Sequence, residues 1–275
     1  MATSAAVAQY APFNETGVTM GHWHLVSHDV AVNKKLFMGM GGRDVAAATV
    51  QFPGARINLS LGNEPPGKGG TIGSAVNHVG FIVNNVQARV AEWKAAGVPV
   101  LPGNNNRLDQ AFVETPDGVR IEILEDKTQA APIQHEHIHF FLTEAEIPKA
   151  VAWYAKTFGG KAGTRNNQPV VDVPGVQLRF AKADAPQAKT RGRVLDHIGF
   201  DVKDHLRLCA KSRQKASSSM SRRARTRPPA PSSPTSPIRG ALASSWCSAA
   251  SRLPLHRHSG RKRLVPGVRL RLQSH

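Results

Sequence analysis

The feature that most constrains the fold of this chain is a short strand-like run that opens with histidine and occurs four times. The runs read GHWHLVSHDV, NHVGFIVNNV, EHIHFFLTEA and DHIGFDVKDH, and they place His22, His78, His137 and His197 in matching positions, at intervals of 56, 59 and 60 residues. Recurrence at so regular a spacing is typical of a duplicated supersecondary unit. We therefore expect four similar units, each with a histidine on its first strand.

The residues that follow each run predict the rest of the unit. After NHVGFIVNNV comes QARVAEWKAAGV, whose apolar residues fall near helical spacing until Gly97 ends the helix. Three β-rich runs follow, VPVLPG, DQAFVETPDG and VRIEILED, separated by Pro-Gly and Pro-Asp-Gly turns. Each unit is therefore predicted to be βαβββ, and the fold class is α+β.

Paired and repeated βαβββ units resemble the vicinal oxygen chelate superfamily, which includes glyoxalases, extradiol dioxygenases, fosfomycin-resistance transferases and bleomycin-binding proteins. The recurrent strand histidine carries the resemblance, together with FVETPDGVRIEILED, which is similar to the family's last strand with its metal-binding glutamate. The resemblance implies that two units face each other to form a cup. It leads us to expect that units one and two form one domain, and units three and four a second.

The chain divides on this basis into four segments. They are a flexible N-terminus at 1–19, a first domain at 20–128 with units 20–64 and 75–128, a partial second domain at 134–211 with units 134–184 and 194–211, and a tail at 212–275. After Asp204 the chain contains 16 Lys and Arg and no Asp or Glu, so nearly all of the formal charge of +17 lies in this region. Such a basic, Ser/Pro/Arg-rich tail is predicted to be disordered, because it cannot offset its ordering entropy by burial.

Three interpretations of the tail remain open: a basic arm for nucleic acid, a solvated extension, and an out-of-frame translation of the fourth unit. We favour the last, since the fourth unit begins normally with VLDHIGFDVKDH and then loses its helix, its strands and its terminal glutamate. No aromatic interleaving marks a stacking platform for bases, so we expect no specific nucleic-acid partner. The fourth unit is accordingly expected to be incomplete.

The resemblance implies a divalent-metal site at His22, His78 and Glu122, with Glu122 also the catalytic residue. Two imidazoles and one carboxylate leave open positions on a metal and suit Fe, Mn, Zn, Ni or Co. His24 is an alternative first ligand, because residues two apart on a strand share a face. His24 is otherwise expected to contact substrate, as is Arg107 in the loop GNNNRLDQ.

The remaining histidines carry weaker expectations. His137 and His197 are expected to be structural, since their domain has no matching glutamate. His139 and His28 are expected to be packing or surface residues.

The activity expected from the resemblance is glyoxalase-like lyase or isomerase chemistry on a small substrate that binds a metal through two adjacent oxygens. The sequence departs from glyoxalase I in the strand RINLSLG, which offers Asn58 and Ser60 where that enzyme has a further glutamate. It departs from extradiol dioxygenases at Phe112, where a tyrosine is usual. The alternatives are a metal-free binding module of the bleomycin-resistance type and a ring-cleaving dioxygenase-like protein. A homodimer is compatible with the resemblance, and no membrane partner is expected.

The location of the protein in the cell stays open. The start MATSAAVAQYAP contains a stretch similar to a signal-peptidase site but lacks a charged n-region and a long apolar run. A cytoplasmic protein and an exported one with a clipped leader are both compatible with it.

Overall fold

The computed structural model describes residues 10–62, 69–204, 208 and 270–274. Its elements follow the predicted order in the first three units. The first unit comprises β1 (Val18–Ser27), α1 (Val30–Gly39), β2 (Arg43–Ala46), β3 (Thr49–Phe52) and β4 (Ala55–Leu61). The second comprises β5 (Val76–Val83), α2 (Val86–Ala95), β6 (Val100–Pro102), a 3₁₀ turn (Asn104–Asn106), β7 (Gln110–Glu114) and β8 (Arg120–Glu125).

The third unit repeats this pattern, and the fourth contributes its first strand. The third comprises β9 (Gln134–Leu142), α3 (Ile147–Phe158), β10 (Lys161–Arg165), β11 (Gln168–Val173) and β12 (Val176–Lys182). The last strands are β13 (Leu195–Val202) and β14 (Leu270–Ser274). The mixed α+β class with paired βαβββ units is therefore confirmed.

The helices begin and end where the local chemistry favours it. The side chain of Asp29 accepts a hydrogen bond from the Val32 amide, and that of Asn85 accepts one from the Ala88 amide, so each caps the first turn of its helix. Helix α3 ends at Gly159, whose φ of 65° is the left-handed conformation that glycine adopts without strain.

The strands form two sheets, and their order corrects the expected pairing of units. The eight-stranded sheet runs β10-β11-β12-β9-β5-β8-β7-β6, so it joins unit two to unit three through antiparallel β5 and β9. The six-stranded sheet runs β14-β13-β1-β4-β3-β2 and joins unit one to unit four. The expectation that units one and two form one domain is therefore wrong. The first three units have all their predicted elements, but each unit pairs with a unit other than the one predicted.

The C-terminal strand β14 lies in the six-stranded sheet, parallel to β13, with Gly199 opposite Arg271. It thus takes the place that β8 takes beside β5 in the other sheet. The prediction of a disordered tail fails for these five residues, because their backbone pairs with β13. The rest of the predicted tail lies outside the described residues.

The N-terminal segment predicted to be flexible is also held from Tyr10 onward. Tyr10 Oη donates to Gln51 Oε1 at 3.0 Å, and Asn14 Nδ2 donates to the Phe158 carbonyl at 2.7 Å. Residues 1–9 lie outside the described residues. Among the described residues, no helix combines the length and the apolar character needed to cross a bilayer.

The two sheets meet at a buried junction around His135. Its amide donates to the Pro53 carbonyl at 2.9 Å, and its ring lies 5.6 Å from the Trp23 ring and 5.7 Å from the Phe81 ring. The ring nitrogen Nδ1 lies 3.3 Å from the Gly175 carbonyl oxygen. Units one, two and three therefore all contribute to the packing around one imidazole.

This junction predicts a loss of stability in acid. Burial lowers the pKa of His135 from its usual 6.5 to about 4, although the Gly175 carbonyl opposes the shift. Since the folded-state pKa lies below that of the unfolded chain, protonation favours unfolding as the pH falls from 6.5 towards 4. The difference corresponds to about 3 kcal/mol. We expect chemical denaturation at pH 7 and pH 4.5 to show a smaller decrease in the free energy of unfolding for His135→Gln than for the wild type. An equal decrease in both proteins would exclude His135 as the source.

Candidate metal centre

The candidate site is built on the two central strands of the eight-stranded sheet. His78 lies on β5, and its Nε2 is 3.3 Å from Glu122 Oε2 on the neighbouring strand β8. Its other ring nitrogen, Nδ1, lies 2.9 Å from Asn77 Oδ1. Because Asn77 engages Nδ1, the Nε2 atom is the one directed at Glu122.

His137 reaches the same carboxylate from β9. Its Nε2 lies 3.0 Å from Glu122 Oε2, and its Nδ1 lies 2.5 Å from Glu136 Oε2. In the antiparallel register His137 stands opposite Gly80, and a Cβ at Gly80 would overlap the imidazole ring. Glycine at this position therefore makes room for the histidine of the partner unit.

Glu122 interacts with histidines of two units, His78 of unit two and His137 of unit three. Its Oε1 accepts a hydrogen bond from Gln110 Nε2, and its Oε2 faces the two imidazoles. Burial alone would raise its pKa, but the interactions of the carboxylate with His137 and His78 outweigh this and hold the pKa below its usual range. The carboxylate therefore stays ionised at neutral pH.

A third histidine, His139, completes the cluster. Its Nδ1 lies 3.1 Å from His78 Nε2, while its own Nε2 is buried and has no hydrogen-bond partner among the described residues. Burial lowers the pKa of His139 to about 3, and it also lowers the pKa of His78. These two imidazoles are therefore neutral at pH 7, the form in which histidine binds metals.

The donor set fits a transition-metal ion. One nitrogen each from His78, His137 and His139 lies within 4.8 Å of the others, and the Glu122 carboxylate adjoins them. A buried imidazole nitrogen without a partner is costly in the absence of a ligand. Neutral imidazoles beside an ionised carboxylate can hold Zn, Fe, Mn, Ni or Co.

Behind His137 lies a charged group that orients it. Glu136 Oε2 lies 2.5 Å from His137 Nδ1, and Arg179 Nη2 donates to both Glu136 oxygens, at 2.5 Å to Oε1 and 2.6 Å to Oε2. Arg165 Nη1 donates to the same carboxylate at 2.8 Å. Burial would raise the pKa of Glu136, but the His137 hydrogen bond and then the two arginines lower it to about 2. The fixed anion keeps the Nδ1 proton of His137 in place and leaves Nε2 to face Glu122.

A prediction follows for Glu136→Gln. The amide keeps the shape of the side chain but removes the anion that polarises His137, so we expect metal affinity to fall about 10- to 100-fold. Competition with a chromogenic chelator measures this affinity, and Glu144→Gln, an exposed carboxylate paired with Lys182, serves as the control. Unchanged affinity in Glu136→Gln would show that His137 needs no such support or does not bind the metal.

The predicted ligand His22 lies in the other sheet. It stands on β1, and its Nε2 is 3.5 Å from His197 Nε2 on β13. The structure therefore brings His78 and Glu122 together as predicted, but it places His137 where His22 was expected. This follows from the pairing of units, since unit three rather than unit one faces unit two. His137 and His139, which are expected to be structural or packing residues, lie in the same cluster as His78 and Glu122.

The six-stranded sheet contains a counterpart of the histidine pair. The rings of His22 and His197 lie 5.5 Å apart at 85°, close to the 5.5 Å and 88° of His78 and His137. His197 Nδ1 lies 2.7 Å from Asp196 Oδ1. In the same way, His137 Nδ1 lies 2.5 Å from Glu136 Oε2 of the preceding residue. Glu122 pairs with Gly80 in the register of β8 and β5. The equivalent pair in the register of β14 and β13 is Arg271 with Gly199, so an arginine stands at the position of the glutamate. At this register position, therefore, the part of the chain that the structure describes offers no carboxylate equivalent to Glu122.

The other predicted site residues are engaged elsewhere. His24 Nε2 lies 2.8 Å from Ser60 Oγ in the six-stranded sheet. Arg107 is half exposed and donates through Nε and Nη2 to the two oxygens of Asp109, at 2.9 and 2.7 Å. His28 Nδ1 lies 2.6 Å from Asp117 Oδ1, which ties unit one to the turn between β7 and β8. Contact of His24 or Arg107 with a substrate stays a prediction.

A sequence signal for His137 existed in the repeat. Units one and three read His-x-His at the start of their first strands, at His22 and His137, whereas units two and four read His-x-Gly, at His78 and His197. A histidine in one unit thus faces a glycine in its partner, as His137 faces Gly80 and His22 faces Gly199. The pattern requires that a unit with His-x-His pairs with a unit with His-x-Gly. Unit two could therefore pair with unit one or with unit three, and the pattern does not decide between them.

Comparison with known proteins identifies the fold. No family model and no curated protein matches the sequence. Among solved structures, the chain is similar to glyoxalase I from Zea mays, with a TM-score of 0.51 at 12% identity over 73% of this chain and 80% of that one. It is also similar to a proposed dioxygenase from Bacillus subtilis, with a TM-score of 0.51 at 16% identity over 73% and 75% of the two chains. With the four strand histidines and the paired βαβββ units, these similarities show that the protein has the fold of the vicinal oxygen chelate superfamily.

Proposed function

We propose that His78, His137 and Glu122 hold one divalent metal ion, and that the protein is a metal-dependent enzyme of glyoxalase-like type. One observation carries the proposal: the Nε2 atoms of two histidines from different units lie 3.3 and 3.0 Å from the same oxygen of Glu122. Two imidazole nitrogens and one carboxylate leave coordination positions open for a substrate.

A metal held in this way would act as a Lewis acid towards a substrate with two adjacent oxygens. The protein side chains supply the orientation and the charge. Asn77 and Glu136 fix the ring tautomers of His78 and His137, and Gln110 holds the far oxygen of Glu122. Such support of the ligands favours a rigid site in which little reorganisation is needed during reaction.

The substrate would also meet His139 and Phe141, which are partly exposed on β9. Their ring centroids lie 5.2 Å apart, and Phe141 also lies 6.4 Å from the His78 ring. Because His139 has a pKa of about 3, it is neutral at pH 7 and lines the site without adding a positive charge. An aromatic wall beside it favours a small, partly apolar substrate.

The test measures metal and turnover in the same preparation. We expect about one equivalent of metal in the wild type and a large loss in Glu122→Gln. We also expect wild-type exchange of deuterium from D2O into α-hydroxy ketones, followed by NMR, to disappear in the variant. The matched control is Glu114→Gln, which alters a half-exposed carboxylate paired with Arg120 on a strand of the same sheet. Metal content equal in wild type and Glu122→Gln would reject the ligand set. Ligand binding by a protein with no metal would favour the bleomycin-resistance type of module.

The same donor set supports a second candidate, a ring-cleaving dioxygenase. Two histidines and one carboxylate form the set that non-haem Fe(II) oxygenases use. Phe112 pairs with Glu122 in the register of β7 and β8, at the position where such enzymes are expected to have a tyrosine. His139, whose Nδ1 lies 3.1 Å from His78 Nε2, adds a histidine to the site that the sequence alone did not predict there. Oxygen uptake with catechol by the Fe(II)-loaded protein, in the absence of deuterium exchange into hydroxy ketones, would favour this candidate over the first.

A further inference from the structure

Arg179 occupies a position in unit three that corresponds to that of Glu122 in unit two. In the parallel register of β9 and β12 it stands opposite His139, as Glu122 on β8 stands opposite Gly80 on β5. His139 and Gly80 are themselves equivalent positions on the two central strands. The eight-stranded sheet therefore presents a carboxylate on one side of the histidine cluster and a guanidinium on the other.

The guanidinium of Arg179 is buried but not fully used. Its Nη2 donates to both oxygens of Glu136, and its Nε donates to Gln177 Oε1 at 2.9 Å. Its Nη1 makes no hydrogen bond to any residue that the structure describes, and it is not shut off from solvent as the buried nitrogen of His139 is. An arginine carries five N–H donors, so two of them remain for a ligand.

The charge around Arg179 is also incompletely balanced. Glu136 is shared between Arg179 and Arg165, so two guanidinium groups face one carboxylate that His137 contacts as well. Asp126 interacts electrostatically with Arg165, but it is only partly buried, so solvent weakens the interaction. Glu122 also attracts Arg179, but the metal ion proposed above would neutralise that carboxylate. Arg179 has only 9% of its surface exposed. A buried cation of this kind is stabilised by an anionic partner.

Arg107, by contrast, is already paired with a carboxylate and is largely in contact with solvent. Its fork is occupied by both oxygens of Asp109, and its side chain is half exposed. An anion bound at its remaining donors would face the Asp109 carboxylate and solvent, both of which weaken its attraction to Arg107.

We propose that the substrate carries a carboxylate that binds to Arg179 Nη1, while its two adjacent oxygens occupy the site at His78, His137 and Glu122. This inference rests on the proposed metal site and names the class of its substrate: small oxygenated carboxylates. The guanidinium fixes the orientation of the substrate across β9, so that the reacting oxygens always face Glu122.

Two hydroxamates test the proposal, because a hydroxamate binds metals through two adjacent oxygens. Acetohydroxamate carries no other charged group, whereas succinic monohydroxamate adds a carboxylate. Calorimetry on the metal-loaded protein is expected to show about tenfold tighter binding of the carboxylated probe, the gain typical of a hydrogen bond to a charged group. In Arg179→Gln the two probes are expected to bind equally, and in Arg107→Gln the preference is expected to persist.

The outcomes separate this inference from the proposal on which it rests. Equal affinity of both probes for the wild type would overturn the carboxylate site and leave the metal site standing. Binding of neither probe would overturn both. Loss of the preference in Arg107→Gln but not in Arg179→Gln would move the carboxylate site to Arg107. Acetohydroxamate reports any damage to the metal site in each variant, and the wild-type ratio decides even if Arg179→Gln does not fold.

Discussion

Replacing His137 with alanine is expected to abolish stoichiometric metal binding, whereas replacing His22 with alanine is expected to leave it intact. His137 Nε2 lies 3.0 Å from Glu122 Oε2, while His22 contacts His197 in the other sheet. Loss of a ligand should lower affinity by more than the 10- to 100-fold cost of losing a supporting residue, that is by at least about 100-fold. Elemental mass spectrometry of the dialysed proteins measures the effect.

The pair of variants distinguishes the two ligand sets directly. Each variant removes one buried imidazole from an equivalent strand position, so general damage to the fold should be similar, and circular dichroism checks this. Metal loss in His22→Ala with retention in His137→Ala would contradict the arrangement of units in the structure. It would support the ligand set His22, His78 and Glu122 that the sequence predicts.

A second large effect is expected from Gly80→Ala. A Cβ at Gly80 would overlap the ring of His137, and the Nδ1 atom of that ring is hydrogen-bonded to Glu136, so the ring cannot move without losing that hydrogen bond. We expect a loss of about 1–3 kcal/mol in the free energy of unfolding, typical of overpacking a core. The displaced imidazole should also lower metal affinity about 100-fold or more.

The control for this variant is Gly163→Ala on the exposed edge strand β10. There a new Cβ would meet only Val170 Cγ2 at 3.8 Å, an ordinary contact. Chemical denaturation and chelator competition on both variants give the two effects separately. If Gly80→Ala bound metal and unfolded like Gly163→Ala, then the His137 ring would not lie over Gly80.

Much of the fold follows from the repeat itself. The spacing of the four histidine runs predicts the βαβββ units, because alternation on the strands and helical periodicity between them are local properties of the sequence. His78 and Glu122 belong to one unit, on neighbouring strands β5 and β8, so their proximity is also predictable. Both are brought together as expected.

The pairing of units could not be predicted from the same information. A glycine such as Gly80 accommodates a histidine from whichever unit lies opposite, and both unit one and unit three offer one, at His22 and His137. The choice depends on contacts distant in sequence, such as the packing of His135 against Trp23 and the hydrogen bond from the Met20 amide to the Pro174 carbonyl. The positions of His137 and Arg179 beside Glu122 and His139, which the sequence did not indicate, both follow from that choice.

The C-terminal strand shows a different limit of sequence reasoning. Composition predicts disorder for residues 212–275, yet Leu270–Ser274 pair with β13. Five residues with alternating apolar character can complete a sheet edge whatever the composition of the chain before them, because the strand gains backbone hydrogen bonds from a partner already in place. Average composition over a long segment does not detect so short an element.

The most direct test of the proposed metal site is to locate the metal by anomalous X-ray diffraction from crystals of the zinc-loaded protein. We expect one strong peak between β5 and β9, within coordination distance of His78, His137 and Glu122. A peak beside His22 and His197, or no peak in protein saturated with zinc, would contradict it.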